Sequence, residues 1–124
     1  MNLLLDTHVF IWWRSTPRAI RRATRDQIAG ANAVYVSLAS AWETAIKISL
    51  GKLKLDDDFE SGVADSGFDP LPIAFADING IATLPRHHGD PFDRMLIAQA
   101  QLRGLTLVTS DQFFARYNVP ILWT

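Results

Sequence analysis

Two apolar runs in this chain each lead into an acid. "LLL" at residues 3–5 runs straight into Asp6, and "LTLVT" at 105–109 leads through Ser110 into Asp111. Each reads as a short buried strand, because an all-apolar run bounded by helix-starting or turn residues suits a sheet covered on both faces. "AVYVS" at 33–37 is β-branched and aromatic, "FDPLPI" at 68–73 is an edge strand broken by prolines, and "PILW" at 120–123 is a closing strand. Helical stretches separate them. One follows Asp6 through Trp13 and stops at Pro17; others span 17–30, 38–51, 56–65, 74–85 and 91–104, with a short one at "DQFFARY". Strands alternating with helices imply an α/β domain on a mainly parallel sheet. Ligands in such folds bind beyond the carboxyl ends of the strands, where the strand order reverses. Asp6 and Asp111 are the acids that follow strands directly.

The 124 residues suit one domain, 1–124, with one core, and 48% apolar content supplies it. No cysteine is present, which excludes disulfides and thiolate metal sites and fits a cytoplasmic location. No apolar run approaches a membrane span, and Asp6 and His8 interrupt the opening "MNLLLDTHVF", so neither a membrane anchor nor a signal peptide is expected. The net charge of −1 hides an asymmetry: residues 1–55 hold eight Lys/Arg against three Asp/Glu, and residues 56–124 hold four against ten. The first half suits a polyanion and parts of the second suit divalent cations. Arg18, Arg21, Arg22 and Arg25 follow i, i+3, i+4, i+7 spacing with no acid between residues 7 and 25, which makes one face of the 17–30 helix basic and a candidate for phosphate contact.

Four acids are candidates for a shared site: Asp6, Glu43, Asp93 and Asp111. Each aspartate also has a structural reading. Asp6 and Asp111 suit helix N-caps; in "DPFD", Asp90 suits N-cap, Pro91 the first turn, and Asp93 the third helical position beside the helix dipole. Glu43 lies with Ala39, Ile46 and Leu50 on one helical face, at about 100° per residue. A carboxylate there needs a basic partner, Lys47 or Arg94, or a metal. Carboxylates that converge repel one another, and hard divalent cations such as Mg²⁺ relieve the repulsion. Two such ions about 4 Å apart can activate water and stabilise the leaving oxygen in phosphodiester cleavage. His87 and His88 read as exposed loop residues, with metal-free acid–base chemistry as the alternative. The aromatic "FIWW" at 10–13 reads as mostly core, and a tryptophan left at the surface would mark a partner site.

"LLLDTHVFIWW", "SLASAWETAIKISLGKLKL", "HHGDPFDRMLIAQA" and "LTLVTSDQFFARYNVPILW", in this order across nearly the whole chain, resemble a PIN domain, specifically the VapC-type toxins of toxin–antitoxin pairs. The resemblance implies a three-layer α/β/α domain with a mainly parallel central sheet and a Mg²⁺- or Mn²⁺-dependent endoribonuclease. Its acidic positions match Asp6 in "LLLDT", Glu43 in "SAWETA", Asp93 in "DRMLIAQA" and Asp111 after "LVTS". They are expected both to hold metal and to carry catalysis. Thr109 and Ser110 match supporting polar positions, and Asp90 reads as support or cap. The implied partners are an RNA substrate, a second copy of the chain in a homodimer, and a small antitoxin that places a basic residue among the acids. An inactive PIN-like module that binds RNA or a partner, or a housekeeping PIN nuclease, is the alternative. A phosphotransfer receiver domain would need adjacent acids after the first strand and a lysine after the last. The chain has "DTH" and no lysine beyond Lys54. A phosphatase of the Asp-x-Asp-x-Thr type would need an acid where His8 stands. The identity of the RNA lies in groove shape rather than in these motifs.

Overall fold

The apolar runs form the centre of a five-stranded sheet in which every pairing is parallel. The computed structural model describes residues 1–124. The chain runs β1 (Asn2–Leu5), α1 (Thr7–Ser15), a 3-10 turn (Pro17–Ala19), α2 (Arg22–Ala29), β2 (Ala33–Ser37), α3 (Leu38–Ser49), α4 (Phe59–Asp65), β3 (Asp69–Leu71), α5 (Phe75–Ala82), α6 (Pro91–Arg103), β4 (Thr106–Thr109), a second 3-10 turn (Gln112–Arg116) and β5 (Ile121–Trp123). Strand order is β3-β2-β1-β4-β5. The chain builds outward from β1 in one direction, then returns to lay β4 on the other side, so the order reverses between β1 and β4. No helix is long and apolar enough to cross a membrane.

Because successive side chains of a strand point to opposite faces, β1 feeds two cores. Leu3 and Leu5 pack with Val9, Phe10, Ile28 and Val63 from α1, α2 and α4 on one face. Leu4 packs with Leu96, Ile97 and Ala100 of α6, Leu107 of β4 and Phe114 on the other. All three leucines are fully buried, each contributing about 1.5–3 kcal/mol of transfer free energy. The edge placement of β3, with its Pro70, agrees with the proline-broken reading of 68–73. Gly104 ends α6 in the left-handed conformation (φ 63°), where a side chain would add strain.

The expected helix over 17–30 is not continuous. After the Pro17–Ala19 turn the backbone becomes extended at Ile20 and Arg21, and α2 begins only at Arg22. The break turns Ile20 inward, where it is buried among Leu3, Ile28 and Val34. Arg18, Arg21, Arg22 and Arg25 therefore do not share one helical face. "FIWW" is mostly core, as expected, with Phe10 buried. Trp12 and Trp13 pack partly buried against the core, and the exposed tryptophan is Trp42 on α3 (61% exposed), its ring set edge-on to Phe92 at 5.0 Å. "DQFFARY" forms a 3-10 turn rather than an α-helix.

One buried ion pair ties α5 to α6. Asp77 is fully buried; it accepts hydrogen bonds from Arg103 through both guanidinium nitrogens, from Gln99 Nε2 (3.3 Å) and from the backbone N–H of Ala74 (2.8 Å). Burial pushes this carboxyl up, but Arg103 and the other donors outweigh it and hold it below the ordinary aspartate range. The stability it contributes is therefore present above the unfolded value and lost as pH falls through the folded one. Arg103→Ala is expected to cost roughly 3 kcal/mol at pH 7 by denaturant unfolding, because a buried carboxylate is left without its cation. That loss should shrink on acidification, when Asp77 becomes neutral. A pH-independent loss would mean that Arg103 acts through packing alone.

Candidate active site

The reversal of strand order opens a cleft of about 330 Å³ whose lining includes Asp6, Glu43, Asp93 and Asp111. Each acid arrives from a different element for a local reason. Asp6 follows β1, and its N–H donates to the Val108 carbonyl of β4 (2.9 Å), which continues the sheet pairing by one residue. Its side chain occupies the N-cap position of α1 but makes no capping bond; instead the Thr109 hydroxyl donates to Oδ2 (2.8 Å). Thr109 Oγ1 also accepts the N–H of Asp111 (3.0 Å), so one hydroxyl ties the two strand-end acids together. Asp111 does cap, accepting the Phe113 N–H on Oδ1 (3.0 Å). Ser110, exposed between them, lines the cleft.

Glu43 projects from α3, which starts at once after β2 because the Ser37 hydroxyl caps it by accepting the Ala39 N–H. Glu43 is buried, and both of its oxygens are engaged. The Thr7 hydroxyl donates to Oε1 (2.8 Å), and Lys47, one turn further along α3, donates to Oε2 (3.1 Å). Of the two basic partners expected from the sequence, Lys47 is the one present. Arg94 neither pairs with an acid nor faces the cleft: its guanidinium donates to the carbonyls of Ile81, Leu84, Pro85 and His88 and lashes the loop before α6 to that helix.

At the start of α6 the two aspartates divide the work. Asp90 caps the helix, its Oδ1 accepting the N–H groups of Phe92 (2.8 Å) and Asp93 (3.0 Å). Asp93 turns its carboxylate toward His88, with Oδ2 2.7 Å from Nε2. The expectation that His88 is an exposed loop residue is corrected here. Its side chain is 19% exposed, and its ring lies parallel to Phe113 at 5.0 Å. His87 remains exposed, against Tyr117. Sequence reasoning also passed over His8 and Phe113, which line the same cleft. For His8, its place two residues after a strand-end acid was an available signal. Phe113 carried none.

The electrostatics follow from crowding. Burial pushes the Asp6 carboxyl up, with Glu43 adding to the rise, while Thr109 and His8 oppose it. Asp93 is pushed up to about 7, by burial first and then by the charges of Asp6 and Asp90, with His88 offsetting part. Two acids in one cleft thus resist ionisation, first because they are buried and then because other carboxylates crowd them. One ring nitrogen of His88 and one oxygen each of Asp93 and Asp111 lie within 4.8 Å of one another, a grouping able to hold a metal ion. An opening rimmed by carboxylates, at the carboxyl ends of β1 and β4, favours a cation together with the anionic ligand that the cation attracts.

The PIN domain family matches residues 3–120 of this chain. Ribonuclease VapC22 of Mycobacterium tuberculosis (strain ATCC 25618 / H37Rv) is 29% identical over 126 residues, covering 96% of this chain and 94% of that protein. Among solved structures, VapBC2 from Rickettsia felis bound to a DNA fragment from its promoter is similar in fold, with TM-score 0.76 and 15% identity over 99% of this chain and 98% of that one. DNA-bound VapBC from Salmonella typhimurium is also similar, with TM-score 0.70 and 18% identity over 99% and 98%. The parallel sheet, its helical layers and the match over nearly the full length lead to one conclusion: the chain belongs to the PIN domain family.

Proposed function

We propose that this single-domain chain is a divalent-metal-dependent endoribonuclease that acts as the toxin of a toxin–antitoxin pair. The observation that carries the reading is the convergence of Asp6, Glu43, Asp93 and Asp111 on one cleft, with Asp6 and Asp93 both pushed up by burial first and then by neighbouring carboxylates. The similarity to a protein named a ribonuclease and to toxin–antitoxin structures supports the substrate class and the role. The donor set fits Mg²⁺ or Mn²⁺: carboxylate oxygens predominate, and no thiol competes for a softer metal. Asp6, Glu43, Asp93 and Asp111 are the proposed ligands and catalytic acids. The metal supplies a polarised water and charge neutralisation at the phosphodiester.

The chain's own residues do the positioning. Thr109 holds Asp6 and the backbone of Asp111 in one geometry, and Asp90 fixes the start of α6 and so the aim of Asp93. Lys47 balances Glu43 and leaves a cationic group on the cleft wall, where a phosphate oxygen would approach. For the RNA strand, the exposed Arg18 and Arg22 are the freer contacts. Arg21 already donates to the Trp123 carbonyl (2.9 Å), and Arg25 is half-buried. Leu38, Trp42 and Ile46 are exposed along one side of α3, an apolar surface suited to a protein partner, either an antitoxin or a second copy of the chain. The proposed setting is the cytoplasm.

Cleavage of a single-stranded RNA should depend on added Mg²⁺ or Mn²⁺, stop with EDTA, and leave 5′-phosphate and 3′-hydroxyl ends, since water is the nucleophile. Asp93→Asn should lower the rate by at least about a hundredfold, given that even partners outside the ligand set are worth about 10–100-fold. Asp90→Asn should cost less than about tenfold, because asparagine also caps. Cyclic 2′,3′-phosphate ends formed in EDTA would overturn the metal reading in favour of histidine chemistry.

Asp93 also predicts a pH dependence in the metal-free protein. Its folded value of about 7 lies above the ordinary aspartate value, so between about pH 4 and 7 the folded state keeps a proton that the unfolded chain has lost. Stability from this group therefore falls as pH rises through that window. In EDTA, wild type should lose on the order of 2 kcal/mol relative to Asp93→Asn between pH 4 and 7, read by denaturant unfolding. Parallel profiles for the two proteins would show that Asp93 ionises without strain.

Expression of the chain alone is expected to arrest growth, and the product of a small neighbouring reading frame to relieve it. The Asp93→Asn protein should be harmless yet still copurify with that product. Harmless expression of folded, RNA-cleaving wild type would remove the toxin role and leave a housekeeping nuclease.

A further inference from the structure

We propose that His88 is a nitrogen ligand of this metal centre, and that it makes the cleft prefer a transition divalent cation such as Mn²⁺ over Mg²⁺. The inference rests on the metal-centre reading above and adds a donor that the four-acid pattern lacks. One ring nitrogen of His88 and one oxygen each of Asp93 and Asp111 stand within 4.8 Å of one another. Ligands bonded to one small ion at about 2.0–2.2 Å stand no more than about 4.4 Å apart, so modest side-chain rotation brings the three onto it.

The histidine is held for this geometry. Its ring stacks on Phe113, 9° from parallel at 5.0 Å. Its backbone N–H donates to the Tyr117 hydroxyl (2.8 Å), and its carbonyl accepts from Arg94 Nη1 (3.3 Å). The platform and one acid form a single frame, because Asp111 Oδ1 accepts the Phe113 N–H and leaves Oδ2 outside that bond. Nε2 already lies 2.7 Å from Asp93 Oδ2, so the hydrogen bond between the two groups occupies the place a shared ion would take. An all-oxygen site suits Mg²⁺, whereas an imidazole shifts preference toward Mn²⁺, Co²⁺ and their neighbours.

The competing role is positioning alone, with His88 orienting Asp93 through a hydrogen bond. Pulsed electron paramagnetic resonance of the full chain loaded with Mn²⁺ separates the two. Wild type should show a directly bound ¹⁴N, and His88→Gln, which keeps a hydrogen-bond donor for Asp93, should lose it. Calorimetric titration of the same proteins should show Mn²⁺ affinity falling about tenfold or more in His88→Gln while Mg²⁺ affinity changes less than about threefold. No ¹⁴N coupling in wild type, coupling that persists in His88→Gln, or an equal fall for both ions would each overturn the inference. In those cases metal binding that is abolished by Asp93→Asn leaves the proposed function standing. Wild type that binds neither ion overturns both.

Discussion

The structure depends on the complete burial of β1. Leu3, Leu4 and Leu5 have water on neither side, so this strand must be central, and its neighbours must pair with both of its edges. β2 takes one edge and β4 the other, and the chain leaves β1 at its carboxyl end into the gap between the helices that cover the two faces. Asp6 is the first residue past that burial. Its position at the floor of the cleft follows from sheet topology, and no local motif was needed to put it there. The same constraint sets Asp111 beside it, because β4 runs parallel to β1 and ends at the same level.

Crowding acids at a sheet edge opposes folding, and the surrounding residues show how the opposition is limited. The cost is partly neutralised where a partner is available: Glu43 has Lys47 and Thr7, and Asp111 has the Phe113 amide. At Asp6 and Asp93 the partners, Thr109 and His88, offset burial only in part. Asp77 makes the contrast clear. Its side chain is also shut off from water, yet Arg103 and the other donors hold its carboxyl low, so burial is outweighed when a cation is built beside an acid. Strain from unmatched charge is concentrated in the cleft and absent from the α5–α6 seam, the distribution expected of a site kept ready for a cation.

Much of this was legible in the sequence, for identifiable reasons. All-apolar runs ending in Asp6 and Asp111 carried the sheet and its ligand end. "DPFD" carried the cap at Asp90 and the free carboxylate at Asp93, because helix starts are written locally. Glu43 stood out because helical periodicity placed it among apolar residues, and Lys47 lay one turn away. What stayed hidden depends on contacts distant in sequence. The break at Ile20 reflects the pull of a core assembled from β1, β2 and α2, which overrides a good helical pattern. His88 looked like a loop residue because Phe113, 25 positions later, is what orders it. The fate of Arg94 could not be read from its neighbours either, since carbonyls at the end of α5 carry no side-chain signature. Asp77 and Arg103 pair across 26 positions with no pattern to link them.

The hydroxyl of Thr109 meets the carboxylate of Asp6 across 103 positions of chain. During synthesis the first acid of the cleft is made about a hundred residues before its stabilising hydroxyl and Asp111. A nascent or truncated chain that ends before β4 keeps Asp6, Glu43 and Asp93 but leaves one edge of β1 unpaired and has no second strand-end acid. On the proposed reading, hydrolytic competence is therefore withheld until β4 and the acid after it have been made, and a product that stops short of them lacks the assembled cleft.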